Sequence, residues 1–245
     1  MQWSDEGVIL GTRRHGESSL IVELMTPGHG RHLGLVRGGR SRRQRPALQV
    51  GNSVAVTWRA RLQDHLGAFS IELTTPRAAR MMDNPLAIQT VQCLAALLRL
   101  LPERDPHATL YEGLVAVLDL PEPDELVIAA MLVRFEVRML EELGFGLDLE
   151  TCAGGGEGDL VYVSPRSGRA VSEGAGAPYR DRLLRLPAFV CAAPTLDPPQ
   201  PADALDGLRL TGFFLARHVY EARGLSEPEA RSRLASRLVR QVAAA

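Results

Sequence analysis

The chain is expected to be an α+β protein, with a small closed β-barrel first, an all-α helical region after it, and an irregular insert. Three observations predict this. Five short apolar or alternating runs, parted by turn residues, fill the first 75 or so positions. Helical periodicity with capping residues begins at Asn84. A stretch rich in Gly, Ser and Pro then spans 150–180.

The five runs are Val8-Ile9-Leu10, Leu20 to Leu24, Leu33 to Val36, Val54 to Trp58 and Ala68 to Leu73. Turn signals separate them: His15-Gly16-Glu17, Thr26-Pro27-Gly28-His29-Gly30, Gly38-Gly39 and Gln49-Val50-Gly51-Asn52. So many short strands in so short a segment fit a closed barrel better than an open sheet. A five-stranded barrel of OB type has this size, and SH3-like barrels look similar by strand count.

From Asn84 the period changes. Asn84 is a good N-cap and Pro85 suits the first helical position. Leu86 to Leu101 reads as a helix stopped by Pro102, and 107–119 as a second, ended by the Pro121/Pro123 pair. Asp124 caps a third, Glu125 to Leu143, with Gly144 as its stop. Its spacing places Leu126, Ala130, Val133, Val137 and Leu140 on one face, with Arg134 and Arg138 four apart on another. The insert holds two apolar pieces, Leu160 to Val163 and Ala170-Val171, enough for one hairpin. Pro194 to Pro201 is a proline-rich connection, and Asp203 to Glu221 and Glu227 to Val242 read as closing helices. The expected domains are residues 1–80, then 81–150 with 203–245, with 151–202 as insert and connection.

Composition narrows the function. With 45% hydrophobic and 23% charged residues the chain can bury a real core. No run approaches the roughly 18 apolar residues of a membrane span. The opening Met1-Gln2-Trp3-Ser4-Asp5-Glu6 does not read as a secretory leader. Cys93, Cys152 and Cys191 are too few and too far apart for a disulfide framework. A cytoplasmic protein is expected, with no membrane partner.

The net charge of −1 conceals an uneven distribution. Residues 1–80 carry 12 Arg against 6 acids, 81–150 carry 4 against 13, and 151–245 carry 12 against 10. All 28 basic residues are Arg, an absence of Lys that codon bias explains; codon bias does not explain the placement. The densest feature runs Arg37-Gly38-Gly39-Arg40-Ser41-Arg42-Arg43-Gln44-Arg45-Pro46, five Arg in nine residues on a connection between strands. Arg grips phosphate bidentately and stacks on bases. A solvated loop is the bland reading. Like charges this dense repel unless an anion is present, which favours a polyanion. Arg13, Arg14, Arg31, Arg59 and Arg61 sit on other strands or their ends; each alone is an ordinary surface residue, and together they would make a basic barrel face. Trp58 and Phe69 are the aromatic candidates for base stacking, but both lie in apolar runs and read as core.

Catalytic motifs are missing. There is no G-x-S-x-G, and without Lys no standard P-loop. His15, His29 and His32 lie in strands and turns, and a turn-solvating role outweighs a metal site. Gly154-Gly155-Gly156 precedes no helix, and the pairs Glu141-Glu142 and Asp148/Glu150 end a helix in an acidic region. No enzyme is expected.

The strings Asp5-Glu6-Gly7-Val8-Ile9-Leu10, Gly16-Glu17-Ser18-Ser19-Leu20-Ile21-Val22 and His29-Gly30-Arg31-His32 resemble the bacterial RecO family of recombination mediators. So do Gly34 to Ser41, the helix Phe135 to Phe145, and Leu149-Glu150-Thr151-Cys152 after it. The resemblance implies an OB-fold, a helical domain and a small zinc-ribbon-like insert. It implies binding to single- and double-stranded DNA, annealing of complementary strands, and the partners RecR and the C-terminal tail of single-stranded DNA-binding protein (SSB). Cytoplasmic, nucleoid-associated action follows. Zinc-containing members carry two C-x-x-C pairs in the insert. Here only Cys152 matches, with Gly155, Ser172 and Ala175 at the other positions. One ligand of four cannot hold tetrahedral zinc, so no metal or other cofactor is expected. Arg134 and Arg138 are the candidates for holding the acidic, apolar-ended SSB tail, with salt bridges to neighbouring acids the equal alternative. DNA contact is assigned to Arg13, Arg14, Arg31, Arg37, Arg40, Arg42, Arg43, Arg45, Arg59 and Arg61. The rival reading is a protein-interaction adaptor whose Arg loop docks an acidic partner.

Overall fold

The computed structural model describes residues 1–120, 124–155, 158–192 and 197–244. The Pro121/Pro123 pair, Gly156 and the Pro194 end of the proline-rich connection lie outside them. The chain divides into two compact units, Met1–Pro121 and Glu122–Ala245.

The first unit opens with five strands, β1 (Gln2–His15), β2 (Ser19–Thr26), β3 (Gly30–Val36), β4 (Ser53–Arg59) and β5 (Ala68–Thr75). They close into a barrel in the order β1-β2-β3-β5-β4. β1 is long enough to pair with β2 through its second half and with β4 through its first, and a parallel contact between Leu35 and Ala68 joins β3 to β5. This is the OB arrangement, and closure removes exposed strand edges. Alternation along β3 follows the strand period of two: Gly30, His32, Gly34 and Val36 are buried, while Arg31, Leu33 and Leu35 are only partly so. Ile9, Val22, Leu24, Val54, Val56, Trp58 and Phe69 fill the interior. Trp58 and Phe69 are therefore core, as their setting in apolar runs implied.

Three helices complete this unit: α1 (Arg77–Met81), α2 (Pro85–Leu98) and α3 (Ala108–Leu118). The compact unit thus extends beyond residue 80. Asn84 caps α2 by accepting from the Ala87 amide at 3.1 Å, with Pro85 at the first helical position. Polar staples tie these helices to the barrel. Buried Arg77 donates to both carboxylate oxygens of Asp119 at 2.7 and 3.0 Å, and to Ser53 on β4. That guanidinium holds the Asp119 carboxyl below the usual carboxylate range. Arg99, just past α2, grips Glu23 on β2 at 2.7 and 2.9 Å.

In the second unit, Asp124 caps α4 (Glu125–Glu142) by accepting from Leu126 and Val127. Gly144 ends it at φ +84°. The buried face is wider than the five-residue stripe expected: Leu126 and Val137 are half-buried, whereas Val127, Ile128, Leu132, Phe135 and Met139 are buried with the rest. The insert is more than a hairpin. β6 (Leu160–Val163) pairs with β7 (Ala170–Ser172) on one side and β8 (Leu184–Arg185) on the other. Short helices α5 (Glu173–Gly176) and α6 (Ala188–Cys191) follow β7 and β8. Then α7 (Pro201–Leu215) runs through a π-helical turn over Ala216–Tyr220 into α8 (Glu221–Arg223), stopped by Gly224 at φ +61°. α9 (Glu229–Ala244) closes the unit. Within the insert the Cys152 sulfur accepts from the Ser172 amide at 3.3 Å and lies 3.5 Å from its hydroxyl. Among the described residues no three His, Cys, Asp or Glu side chains converge as a metal site. No helix among them is long and apolar enough to cross a membrane.

The barrel interior also holds an ionisable group. His32 is buried beside Trp3, Trp58 and Phe69, with ring centroids 5.2 to 5.8 Å away. Burial pulls its pKa from 6.5 to about 4, helped by Arg104 and His29 and opposed by the Leu33 carbonyl. On acidification the unfolded chain takes this proton first. The stabilisation is whole above about pH 6.5 and drains as pH falls to 4, by up to about 3 kcal/mol. Urea unfolding from pH 7.5 to 4 should show that loss, and His32→Gln should flatten it relative to the parent; parallel curves would refute the assignment.

Candidate nucleic-acid interface

The Arg-rich connection between β3 and β4 is folded rather than slack. Its amides make helical-type bonds, Arg45 to Ser41 at 3.0 Å and Leu48 to Gln44 at 3.1 Å. Leu48 plugs the barrel core. The Asn52 carboxamide donates to the Pro46 and Ala47 carbonyls at 2.9 and 3.2 Å. The amide of Arg40 donates to the Ser18 carbonyl at 3.1 Å, and its guanidinium to that of Glu17. The connection is thus pinned at both ends. A backbone already fixed in place loses less entropy when its side chains grip an anion.

This folding brings three of the ten candidate arginines together. Arg14, Arg40 and Arg45 line a cavity of about 310 Å³ with Thr12, Leu20 and Gln49. Opposite residues of an antiparallel pair share a face. Thr12 stands opposite Val22 and Arg14 opposite Leu20, so both lie on the face that carries core residue Val22. Arg13, between them, stands on the other face and is absent from the cavity wall. Arg37, Arg42 and Arg43 are exposed on the same connection without lining it. Arg59 and Arg61 are exposed at the end of β4 and just beyond, and Arg59 donates to Gln2 at 2.9 Å. Closure returns that end toward the Arg loop: Ala68 pairs with both Arg59 and Leu35, two strand spacings or roughly 10 Å across.

Arg31 is engaged elsewhere. It pairs with Glu23 at 3.0 Å and Glu103 at 3.6 Å, and its side chain is 12% exposed. Arg134 donates to the Phe189 carbonyl at 2.6 and 3.0 Å and to that of Ala192 at 3.2 Å, tying α4 to the segment around α6. Arg138 pairs with Glu141 one turn on. Both arginines proposed for the SSB tail thus have intramolecular partners. The partly exposed ring pair on the barrel is one the sequence did not single out: Trp3 stacks on His29 at 4.0 Å and 10°. Asp5 holds the His29 ring at 2.9 Å. No sequence signal marked the pair, because the first apolar run begins at Val8, whereas β1 starts at Gln2 and its pairing sets Trp3 opposite Trp58.

An OB barrel with a guanidinium-lined cavity narrows the family, and comparison decides it. Residues 1–77 match the family model "Recombination protein O N terminal" and 87–227 match "Recombination protein O C terminal". The chain belongs to the RecO family. The DNA repair protein RecO of Mesorhizobium japonicum is 56% identical over 234 residues, 95% of this chain and 91% of the relative. That of Rhodopseudomonas palustris is 57% identical over 235 residues, 95% and 94% of the two chains. That of Chelativorans is 54% identical over 246 residues, 99% and 97%. This RecO-family chain therefore has a role in DNA repair and recombination.

Proposed function

We propose that this chain is a non-enzymatic DNA-binding and strand-annealing mediator. The observation that carries this is the convergence of Arg14, Arg40 and Arg45 on one cavity of a barrel whose first 80 residues hold twice as many Arg as acids. Three guanidinium groups offer bidentate donors to phosphate oxygens, while Arg13, Arg37, Arg42, Arg43, Arg59 and Arg61 extend the positive field for neighbouring phosphates. Neutralising the phosphates of two strands lowers their repulsion, and base pairing then supplies the free energy, so no nucleotide is hydrolysed. Membership of the RecO family supports RecR and the SSB tail as partners in exposing gapped DNA to recombinase.

Replacing Arg14, Arg40 and Arg45 together with Ala tests the reading. Affinity for a single-stranded oligonucleotide should fall on the order of a hundredfold at low salt. The slope of log K against log salt should shrink by about 2, near 0.7 for each phosphate that is no longer neutralised. Annealing of complementary SSB-coated oligonucleotides without ATP should slow in parallel. Unchanged affinity and slope in the triple variant would overturn the proposal, and loss of a protein partner alone would make the Arg loop an adaptor surface.

A further inference from the structure

A second cavity, of about 370 Å³, lies against the first. Its walls are mostly apolar, with Leu10 and Val50 from the barrel unit's strands and turns and Met81, Met82, Ile88 and Val91 from α1, α2 and the turn between them; Gln49, Gln92 and the Glu23-paired Arg99 are its polar members. Met82 and Ile88 are 69% and 38% exposed at its edge. Gln49 and Val50 line both cavities, so the guanidinium pocket and the apolar pocket share a wall.

We propose that the two cavities form one site for a single unpaired nucleotide, its phosphate among Arg14, Arg40 and Arg45 and its base against Met82 and Ile88. The inference rests on the DNA-binding reading and adds what that reading lacks, a reason to prefer single strands. Phosphate and base hang from one sugar, so their subsites must be contiguous, as these are. A base has apolar faces and polar edges, which suits apolar walls flanked by carboxamides. The Nε2 of Gln49 donates to the Arg45 carbonyl at 2.8 Å, leaving its oxygen to accept from a base amino group. Exposed Gln92 adds a second donor–acceptor pair to the same wall. Methionine sulfur is polarisable and packs well on aromatic rings. In a duplex the faces are stacked and the edges paired, so the base half can be filled only by a strand whose bases are free. A peptide with acidic residues before an apolar end also matches the charge pattern, but a hydrocarbon side chain, aliphatic or aromatic, has no polar edge to pair with the two carboxamides.

The test uses the full chain and three fluorescent ligands: a single-stranded oligonucleotide, the same strand with abasic sites, and a duplex. The exposed pair Met82→Ser/Ile88→Ser removes the apolar edge without adding charge. The parent should bind the intact strand about tenfold more tightly than the abasic one, within the range of base-stacking contributions. The double variant should lose that factor on the intact strand, lose nothing on the abasic strand, and bind duplex as the parent does. Equal affinity of the parent for intact and abasic strands would overturn the composite site, as would equal losses on both in the variant. In either case the DNA-binding reading would stand so long as the triple Arg variant still shows its loss of affinity. Binding of an acidic, Phe-ended peptide that is lost in the double variant, with intact and abasic strands indistinguishable, would make the groove a peptide site and overturn the proposal. If the parent binds no DNA at any salt, the underlying reading has failed.

Discussion

Glu136→Leu should cost the second unit on the order of 3–5 kcal/mol of stability. Glu136 is fully buried on α4, and its two oxygens accept from Arg231 of α9 at 2.6 and 2.9 Å. The same guanidinium donates to the Leu208 carbonyl at 2.7 Å and lies 3.1 Å from the Thr211 hydroxyl on α7, and it also pairs with Glu227. Three helices therefore meet on one buried ion. Burial works against the charge of Arg231, and Glu136 with Glu227 overrides it, raising its pKa further above the ordinary value. Removing Glu136 leaves the arginine buried with most of its compensation gone, the costly half of the asymmetry between breaking a buried pair and replacing it. The double change Glu136→Leu/Arg231→Met should recover most of the loss. Urea unfolding combined with amide exchange in α4, α7 and α9 measures both variants. A single variant as stable as the double would show that the pair is not a buried staple. DNA affinity at the guanidinium cavity should be unchanged in both, because that cavity is built within the first unit.

How much of this was legible in the sequence varies with how local the cause is. The five strand runs, Val8 to Leu10 through Ala68 to Leu73, all fall inside observed strands, because period two is a local signal. Asn84 and Asp124 begin helices and Gly144 stops one where their side chains, or the lack of one, dictate. What escaped was short or long-range. α1 has five residues, Arg77 to Met81, too few for a period to show. β8 has two residues and exists only because β6 has a free side. The shift in charge near residue 80 suggested a boundary, but charge counts describe the solvated surface. The extent of the first unit follows instead from links such as Arg77–Asp119 and Arg99–Glu23, 42 and 76 residues apart in sequence.

The candidate site divides in the same way. The density of arginine from Arg37 to Arg45 is a local fact, visible in the sequence without any structure. Which guanidinium groups are available is not local. Arg31 and Arg134 look like any other arginine in the sequence, yet one is engaged by Glu23 and Glu103 and the other by two carbonyls of the second unit. Adjacent Arg13 and Arg14 read alike, and strand geometry separates them onto opposite faces. One long-range feature did leave a trace. Glu136 sits between Phe135 and Val137 on an apolar helix, and a carboxylate there implies a buried cation somewhere in the chain. Nothing local says that the cation is Arg231, 95 residues on.

Gly30→Ala should be the most damaging single-methyl change in the first unit, lowering its stability by roughly 3 kcal/mol or more. Gly30 sits at φ +62° where β3 leaves its turn, a conformation that costs an L-residue about 1 kcal/mol or more. A Cβ there would also lie 1.9 Å from the Asp105 carbonyl oxygen and 2.5 Å from its carbon. Both are backbone atoms, so no rotamer change relieves the clash. The segment cannot simply retreat, because the Arg104 amide donates to the Arg31 carbonyl at 2.8 Å and the Arg104 guanidinium reaches the His65 carbonyl at 2.9 Å. Displacing it would pull on Arg99 and α2, which wall the apolar cavity. Gly16, also at positive φ (+60°) but with open space around it, separates the two causes. Gly16→Ala should cost only the conformational part, about 1 kcal/mol. Thermal and urea unfolding of the two variants give the comparison. Similar small losses in both would mean that the 103–105 segment yields easily. A much larger loss at Gly30 would show that close backbone approach, rather than turn conformation, holds this segment on the barrel.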